Sequence, residues 1–334
     1  MAFDKALSQD LFQLDAAKEV DALCARMKSL LVQPLKRRGL VVGISGGIDS
    51  SVCLALAVRA LGPEKVVALQ MPEAHSSEET LGISGRLAAH FGVKALHEDI
   101  TPILEAVHFY DRYDQAVQQV VPEYGPGWRS KIIIPDVSVH QGFTYFSIVA
   151  QSPSGEVIKK RLPLNAYLAI VAATNFKQRI RKMLEYYHAD RMHFAVIGTP
   201  NRLEYDQGFF VKLGDGAADI KPIAHLYKTQ VYMLAHYLGV PEEIRERRPT
   251  TDTYSLPQSQ EEFYFALPYD RMDLCLYGLN HSLPANEVAA AAGLTQDQLA
   301  RVWRDIASKR KATSGLHRGP LLVEDVPEVS NGGH

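Results

Sequence analysis

Apolar residues recur at helical spacing near the start of the chain. Leu14, Ala17, Val20, Leu23, Met27, Leu30 and Leu31 fall within Leu11 to Leu35, with Pro34 near the end, which predicts an amphipathic helix. The pattern then changes. Leu40-Val41-Val42-Gly43-Ile44 is a short continuous apolar run, the form of a parallel strand buried on both faces. A Gly-rich turn, Ser45 to Ser51, leads into a helix from Val52 to Leu61 that stops before Gly62-Pro63. Lys65 to Met71 reads as a second strand, Glu78 to Phe91 as a helix closed by Gly92, and Ala95 to Ile100 as a third strand. A long helix from about Asn165 to Tyr187 precedes another buried strand, His193 to Ile197. Strand, helix and strand at short spacing predict βαβ units, hence an α/β fold with a doubly wound parallel sheet.

The segment from Thr101 to Leu164 departs from this rhythm. Phe143 to Val149 and Glu156 to Leu162 alternate on either side of the turn signal Ser152-Pro153-Ser154-Gly155, which predicts a β-hairpin excursion. Residues 271–312 read as a C-terminal helical part of one domain spanning 1–323, and 324–334 as a frayed tail. Within that helical part, Asn286 to Thr295 followed by Leu299, Val302 and Trp303 has the outline of a helix-turn-helix, with Lys309-Arg310-Lys311 beyond. A DNA reader needs an exposed recognition helix with base-reading side chains. The second helix here is mixed in charge, so a structural helical hairpin is expected.

Composition narrows the classes further. Hydrophobic residues make up 46% and charged residues 22%, with a net charge of -2. That is an ordinary globular balance and offers no argument for nucleic acid or a membrane surface as partner. No stretch approaches the roughly 20 apolar residues of a membrane span, and Met1 to Asp21 lacks the basic start and apolar run of a signal peptide. A cytoplasmic protein is expected. Cys24, Cys53 and Cys275 are few, odd in number and far apart, as for buried small hydrophobes in a reducing compartment rather than a disulfide or metal framework.

The chemistry begins at Gly43-Ile44-Ser45-Gly46-Gly47-Ile48-Asp49-Ser50-Ser51, between a predicted strand and a predicted helix. Glycines let backbone N–H groups approach phosphate oxygens, the serines add hydroxyl donors, and the helix N-terminus adds partial positive charge. The common triphosphatase loop, GxxxxGK[ST], is absent. A lone Asp in a phosphate loop repels its ligand unless a cation lies between them, so Asp49 reads as a Mg²⁺ ligand. The alternative is a glycine turn whose Asp and Ser only cap the helix. The hexapeptide SGGxDS after an apolar strand resembles the signature of the ATP pyrophosphatases, which cleave ATP to AMP and pyrophosphate.

The second half of the chain resembles one branch of that superfamily, the NAD synthetases. Ile197-Gly198-Thr199-Pro200-Asn201-Arg202-Leu203-Glu204 is followed by Gly208-Phe209-Phe210-Val211-Lys212-Leu213-Gly214-Asp215-Gly216-Ala217-Ala218-Asp219-Ile220, then Pro222-Ile223 and Leu226-Tyr227-Lys228-Thr229-Gln230. Asn175 to Met183 resembles the family's NxxxRxRM helix, and Arg248-Pro249-Thr250-Thr251-Asp252 its PTAD turn. The resemblance implies an adenine nucleotide hydrolase-like, Rossmann-like fold. It implies a ligase reaction in which ATP adenylates the carboxylate of deamido-NAD and ammonia displaces AMP. It implies Mg²⁺ ligation by Asp49 and Glu204, with Asp49 and Lys228 as the catalytic pair. It implies ATP contacts by Gly43, Ile44, Ser45, Gly46, Gly47, Ile48, Asp49, Ser50, Thr199, Lys228 and Thr250, deamido-NAD contacts by Arg179, Lys212 and Asp219, and a homodimer.

The chemistry asks for such a set independently. Attack of a carboxylate on the α-phosphate builds negative charge that cations stabilise, and a lysine is a mobile point charge for phosphate. Each residue also has a plainer role open to it. Lys228 fits a solvated helix, Glu204 a loop flank and Asp219 a local cap. Arg179 and Arg181 lie two apart and point to different helix faces, so an ion pair is the alternative for one of them. Asp215, between two glycines, suits a turn.

Three features depart from the family pattern. The excursion is longer than in the short ammonia-dependent enzymes, and Ala217 stands where Gly is usual. The His-Lys expected near the C-terminus has two counterparts, Lys309-Arg310 and His317-Arg318. A glutamine-dependent relative would carry an attached amidase domain for which the chain has no room, so free ammonia is the expected donor, with a separate amidotransferase partner as the alternative. Two other functions stay open at this stage. A tRNA-modifying adenylating enzyme would show a basic surface, and a non-catalytic nucleotide-binding regulator would not need Asp49, Glu204, Lys228 and Thr250 together.

Overall fold

The computed structural model describes residues 8–134, 145–247, 253–265, 267–324 and 326–327. Its strands are β1 (Leu40–Gly43), β2 (Val66–Gln70), β3 (Lys94–His97), β4 (Arg129–Ile133), β5 (Ser147–Gln151), β6 (Val157–Arg161) and β7 (Ala195–Ile197). The helices before β7 are α1 (Ala16–Val32), α2 (Ile48–Leu61), α3 (Glu78–His90), α4 (Thr101–Ala106), α5 (Phe109–Gln118) and α6 (Leu164–Met192). After it come α7 (Arg202–Gln207), α8 (Lys228–Tyr237), α9 (Glu242–Arg245), α10 (Tyr269–Asn280), α11 (Ala285–Ala291) and α12 (Gln296–Thr313).

Successive side chains of a strand point to opposite faces, and here the two faces feed two separate cores. Leu40 and Val42 of β1 pack with α1, α2 and α8, whereas Val41 packs with α5 and α6. β2 divides in the same way, with Val66 and Ala68 to one side and Val67 and Leu69 to the other. Ala195 and Ile197 of β7 join the first core and Val196 the second. A strand buried on both faces needs apolar residues at every position, which is why these segments read as unbroken apolar runs.

The four strands run parallel in the order β3-β2-β1-β7, with Leu40 opposite both Val66 and Ala195. The chain moves outward from β1 to β3 and then returns to the other side of β1. The strand order therefore reverses between β1 and β7. In a doubly wound sheet the crevice beyond the carboxyl ends of the strands at that reversal is where ligands bind. Helices cover both faces, as the sequence predicts.

The excursion is built differently at its two ends. Thr101 to Gln118 is helical, in α4 and α5, and β4, β5 and β6 form an antiparallel sheet in that order. The expected hairpin is β5 and β6, closed at Ser152 to Gly155, where the Ser152 N–H donates to Glu156 O at 2.9 Å and Gly155 has φ +90. Phe143, the predicted start of its first strand, lies outside the described residues. The third strand, β4, was not predicted.

The C-terminal part has its own core, with Met272, Leu274, Cys275, Val288, Leu299, Val302 and Ile306 buried together. The Trp303 indole N–H donates to Cys275 O at 2.9 Å. α11 and α12 thus form a helical hairpin seated on α10. The basic run faces inward in part. Lys309 bonds Tyr264 O and Asp305, and Arg310 bonds Asp206 and Asn280. All three cysteines are buried and free. Among the described residues no helix is long and apolar enough to cross a membrane.

Candidate active site

Beyond β1 and β7 lies a cleft of about 750 Å³. Its floor is the loop after β1. Gly43 lies against α6, where an added Cβ would sit 2.7 Å from Glu185 Oε1, and Gly46 takes a left-handed φ of +71. The helix α2 then starts at Ile48, with Gly47 as an N-cap that offers no side-chain bond. Ser50 and Ser51 instead donate to Gly47 O, at 3.0 and 2.8 Å. The N-terminal amides of this helix therefore face the cleft without a carboxylate or hydroxyl cap of their own, which is the arrangement of a helix-start anion site. Every residue from Gly43 to Ser50 lines the cleft, as does Thr199 after β7.

Three side chains from distant segments converge on the mouth of this loop. Asp49 sits in the first turn of α2, Lys228 begins α8 and Glu204 lies in the first turn of α7. Lys228 Nζ is bonded to Asp49 Oδ2. Asn201 Nδ2 donates to Asp49 Oδ1 at 3.1 Å, and the Asn201 backbone N–H donates to Glu204 Oε2 at 3.1 Å. Asn201 thus bridges the two carboxylates while its side-chain oxygen caps α7 at Leu203 N and Glu204 N. Gln260 Nε2 takes the other oxygen, Glu204 Oε1, at 2.9 Å.

The electrostatics follow from burial. Lys228 is 1% exposed and Glu204 9%. Burial, reinforced by the negative charge of Asp49 and opposed by Lys228, pushes the Glu204 carboxyl up to about 8. Burial alone would lower the Lys228 ammonium, but Asp49 and Glu204 hold it above its ordinary range. The start of α8 is fixed from below by Asp273, which accepts from the Thr229 N–H at 2.9 Å and its hydroxyl at 2.7 Å. Asp273 is fully buried and is pushed up to about 7 by that burial.

Asp49 and Glu204 bring two carboxylates beside one lysine. A sparse carboxylate set of this kind fits Mg²⁺, which keeps several waters and takes the rest of its shell from substrate phosphates. The placement supports the fit: Asn201 bridges the two carboxylates, and both line the cleft beside the phosphate loop, where a divalent cation would offset their negative charge.

The far wall of the cleft comes from α6. Arg181, Lys182 and Glu185 line it together with Asp215. Lys182 Nζ pairs with Glu185 Oε2 at 2.5 Å, and Arg181 donates to Met71 O at 3.1 Å. Asp215 accepts from the Val211 N–H at 2.8 Å and so holds its turn as well as facing the cleft. Arg179 points away from this wall, as the two-residue offset requires. Its Nε donates to Lys212 O at 3.3 Å, and Lys212 Nζ reaches Gly315 O at 2.9 Å. The structure therefore brings Arg179, Lys212 and the Gly315 turn together at the surface, outside the cleft lining. Asp219 braces β7, accepting from the Val196 N–H at 2.7 Å and from Tyr186 Oη at 3.4 Å. Of the two C-terminal basic pairs, His317 stands against the Phe210 and Tyr205 rings at 5.2 and 4.7 Å, whereas Lys309 and Arg310 bond Asp305 and Asp206. Thr250 lies outside the described residues.

Asn201, Gln260 and Asp273 were not singled out in the sequence. Asn201 carried a visible signal, because Asn followed three residues later by Glu is a capping box.

Residues 19–124 and 152–312 match the model of the NAD synthase family. The chain belongs to the NAD synthase family. A relative from Rhizobium meliloti (strain 1021), described as an NH(3)-dependent NAD(+) synthetase, is 59% identical and the match covers 96% of each chain. One of the same description from Thermotoga maritima is 35% identical, covering 74% of this chain and 82% of the relative. Among solved structures, an NH3-dependent NAD synthetase from Campylobacter jejuni superposes with a TM-score of 0.61 at 22% identity, over 93% of this chain and all of that one. An NMN synthetase from Francisella tularensis gives 0.63 at 22% identity, over 93% and 99%. These structural likenesses speak to the fold. The family match leaves out residues 125–151, which contain β4 and β5 and lie inside the excursion.

Proposed function

We propose that this member of the NAD synthase family converts deamido-NAD to NAD with free ammonia. ATP adenylates the nicotinate carboxylate, pyrophosphate leaves, and ammonia then displaces AMP. The observation that carries the reading is the convergence of Asp49, Glu204 and Lys228 at the open N-terminus of α2. The α2 amides and the loop from Gly43 to Ser50, with Thr199, cradle the ATP phosphates. Lys228 supplies positive charge where charge develops on the phosphoryl oxygens. Asp49 and Glu204 would hold Mg²⁺, which supplies charge neutralisation at the phosphates. The attacking group is the substrate's own carboxylate, so no protein nucleophile is needed. Orientation of the two substrates accounts for much of the rate.

Deamido-NAD contacts belong in this reading to Arg179, Lys212 and Asp219, with Thr250 on ATP. Because Arg179 and Lys212 lie at the surface beside the Gly315 turn, their role calls for a second copy to complete the site. α6 leaves Leu164, Leu168, Met183 and Tyr187 exposed, an apolar band that suits a homodimer. Met183→Glu should then shift the sedimentation coefficient to that of a monomer, and an unchanged dimer would remove this face from the contact.

A product assay tests the function. The protein with ATP, Mg²⁺, deamido-NAD and either ammonium or glutamine should give NAD, AMP and pyrophosphate in equal amounts, from ammonium only. ATP binding without NAD would point to another acceptor, and binding without any pyrophosphate release to a regulator.

A further inference from the structure

One side of the cleft mouth is a strap, Thr253 to Gln258 together with Gln260. Few of its contacts are to its sequence neighbours. Thr253 O accepts from Lys177 Nζ at 3.1 Å, and that lysine is buried against Glu73 at 2.7 Å. The rest of the strap lies along β4. The Leu256 N–H donates to Ser130 O at 3.2 Å, and the Ser130 N–H donates to Ser255 Oγ at 2.9 Å. Gln258 Nε2 is bonded to Ile132 O. Lys131 Nζ donates to Pro257 O at 3.0 Å and to Glu262 Oε2 at 2.8 Å, and the Ile134 N–H donates to Glu262 O at 3.0 Å.

β4 is itself firmly seated. Its other edge pairs with β5 over five residues from Arg129 to Ile133. Ile132 is fully buried, and Ser130 Oγ shares hydrogen bonds with the Tyr113 and Tyr124 hydroxyls at 2.8 and 3.0 Å. At the opposite side of the strap, Gln260 holds Glu204 Oε1. A continuous set of contacts therefore runs from β4, through the strap, to the carboxylate beside Asp49. β4 lies in the stretch that the family model does not match.

We propose that β4 is a clamp which fixes the strap and thereby sets Glu204, making Lys131 and Ser255 positioning residues for the reaction. An edge strand offers unpaired N–H and C=O groups along its length, and the strap takes up those of β4. Lys131 adds two charge-assisted contacts on the solvent side of the same edge. The loop from Gly43 to Ser50 stands on β1 and α2 and makes no part of this set, so the clamp acts through Glu204, on turnover and on the metal-dependent part of ATP binding.

The kinetic arm rests on the proposed reaction, and a second arm does not. The full chain is compared with Lys131→Ala, Lys131→Arg and Ser255→Ala, by hydrogen–deuterium exchange of peptides within 253–265 without ligand and by steady-state NAD formation. Lys131→Ala removes both charge-assisted contacts and should speed exchange in the strap by about tenfold or more. It should lower kcat by a similar factor and raise KM for ATP, since Glu204 also serves the metal at the phosphates. Lys131→Arg should restore both readouts, and Ser255→Ala should move them in the same direction as Lys131→Ala, which also covers the case in which Lys131→Ala fails to fold. Unchanged exchange in both alanine variants overturns the clamp. Faster exchange with normal kcat overturns its link to Glu204. If the unaltered protein makes no NAD, the proposed reaction fails, and the exchange arm still decides whether β4 holds the strap.

Discussion

Replacing Glu204 by Gln should make the metal-free protein more stable at alkaline pH. The folded state holds this carboxyl at about 8 instead of its ordinary 4.5, chiefly because it is buried and because Asp49 lies beside it. A folded-state value above the unfolded one means that the stabilising contribution is fully present below about 4.5 and is lost as pH rises through about 8. Each tenfold in proton affinity is worth about 1.4 kcal/mol, so the full span corresponds to roughly 5 kcal/mol as an upper bound. Gln keeps an oxygen for the Asn201 N–H and removes the titration. Wild type and Glu204→Gln should therefore have similar denaturant midpoints near pH 5 and diverge by a few kcal/mol near pH 9, with the variant ahead. Asp273, pushed up to about 7, slopes in the same direction but is common to both proteins and cancels in the difference. Excess Mg²⁺ should recover wild-type stability at pH 9 by binding the ionised folded state, and should help the variant less. Parallel stability curves for the two proteins from pH 5 to 9, with EDTA present, would mean that Glu204 is not held protonated in the folded protein.

Asp49→Asn should abolish NAD formation while the circular dichroism spectrum stays native, since Asn keeps the shape and an acceptor for Lys228 but loses the charge; normal turnover would remove Asp49 from the site. Gly43→Ala should lower the melting temperature and weaken ATP binding, because its Cβ would lie 2.7 Å from Glu185 Oε1 and that carboxylate is pinned by Lys182. Overpacking of this kind costs about 1–3 kcal/mol. Gly125→Ala, whose Cβ would meet nothing within 4 Å, serves as the control that should leave both unchanged.

The parts of this molecule that were legible in its sequence are those where local chemistry restricts residue type. A strand buried on both faces admits only apolar side chains, so β1, β2 and β7 stood out. A loop that presents amides to phosphate needs glycine at Gly43 and Gly46, where the structure leaves no room for a Cβ or turns φ positive. The convergence of Asp49, Glu204 and Lys228 has no such local signature. Asp49 is marked by its place in the phosphate loop, but Glu204 and Lys228 are ordinary residues in ordinary first turns, and only resemblance to a family joined the three.

β4 shows the opposite limit. Its inward positions are Ser130 and Ile132, and a serine in a core reads from sequence as a break in the apolar pattern. Two tyrosine hydroxyls, from Tyr113 and Tyr124, satisfy it, a pairing that depends on how the chain folds back and that the apolar pattern does not signal. The same holds for Arg179 and Arg181. Helical geometry separates them onto different faces, but which face meets the cleft depends on how α6 docks against Met71 and Gly43. Local rules thus locate the phosphate loop and the capping box by which Asn201 holds Glu204, whereas the Asn201 contact to Asp49 and the supports from Gln260 and Asp273 are fixed by packing between segments far apart in the chain. Such supports are also where relatives sharing one phosphate loop can diverge, and β4 places one of them under the control of a segment outside the family pattern.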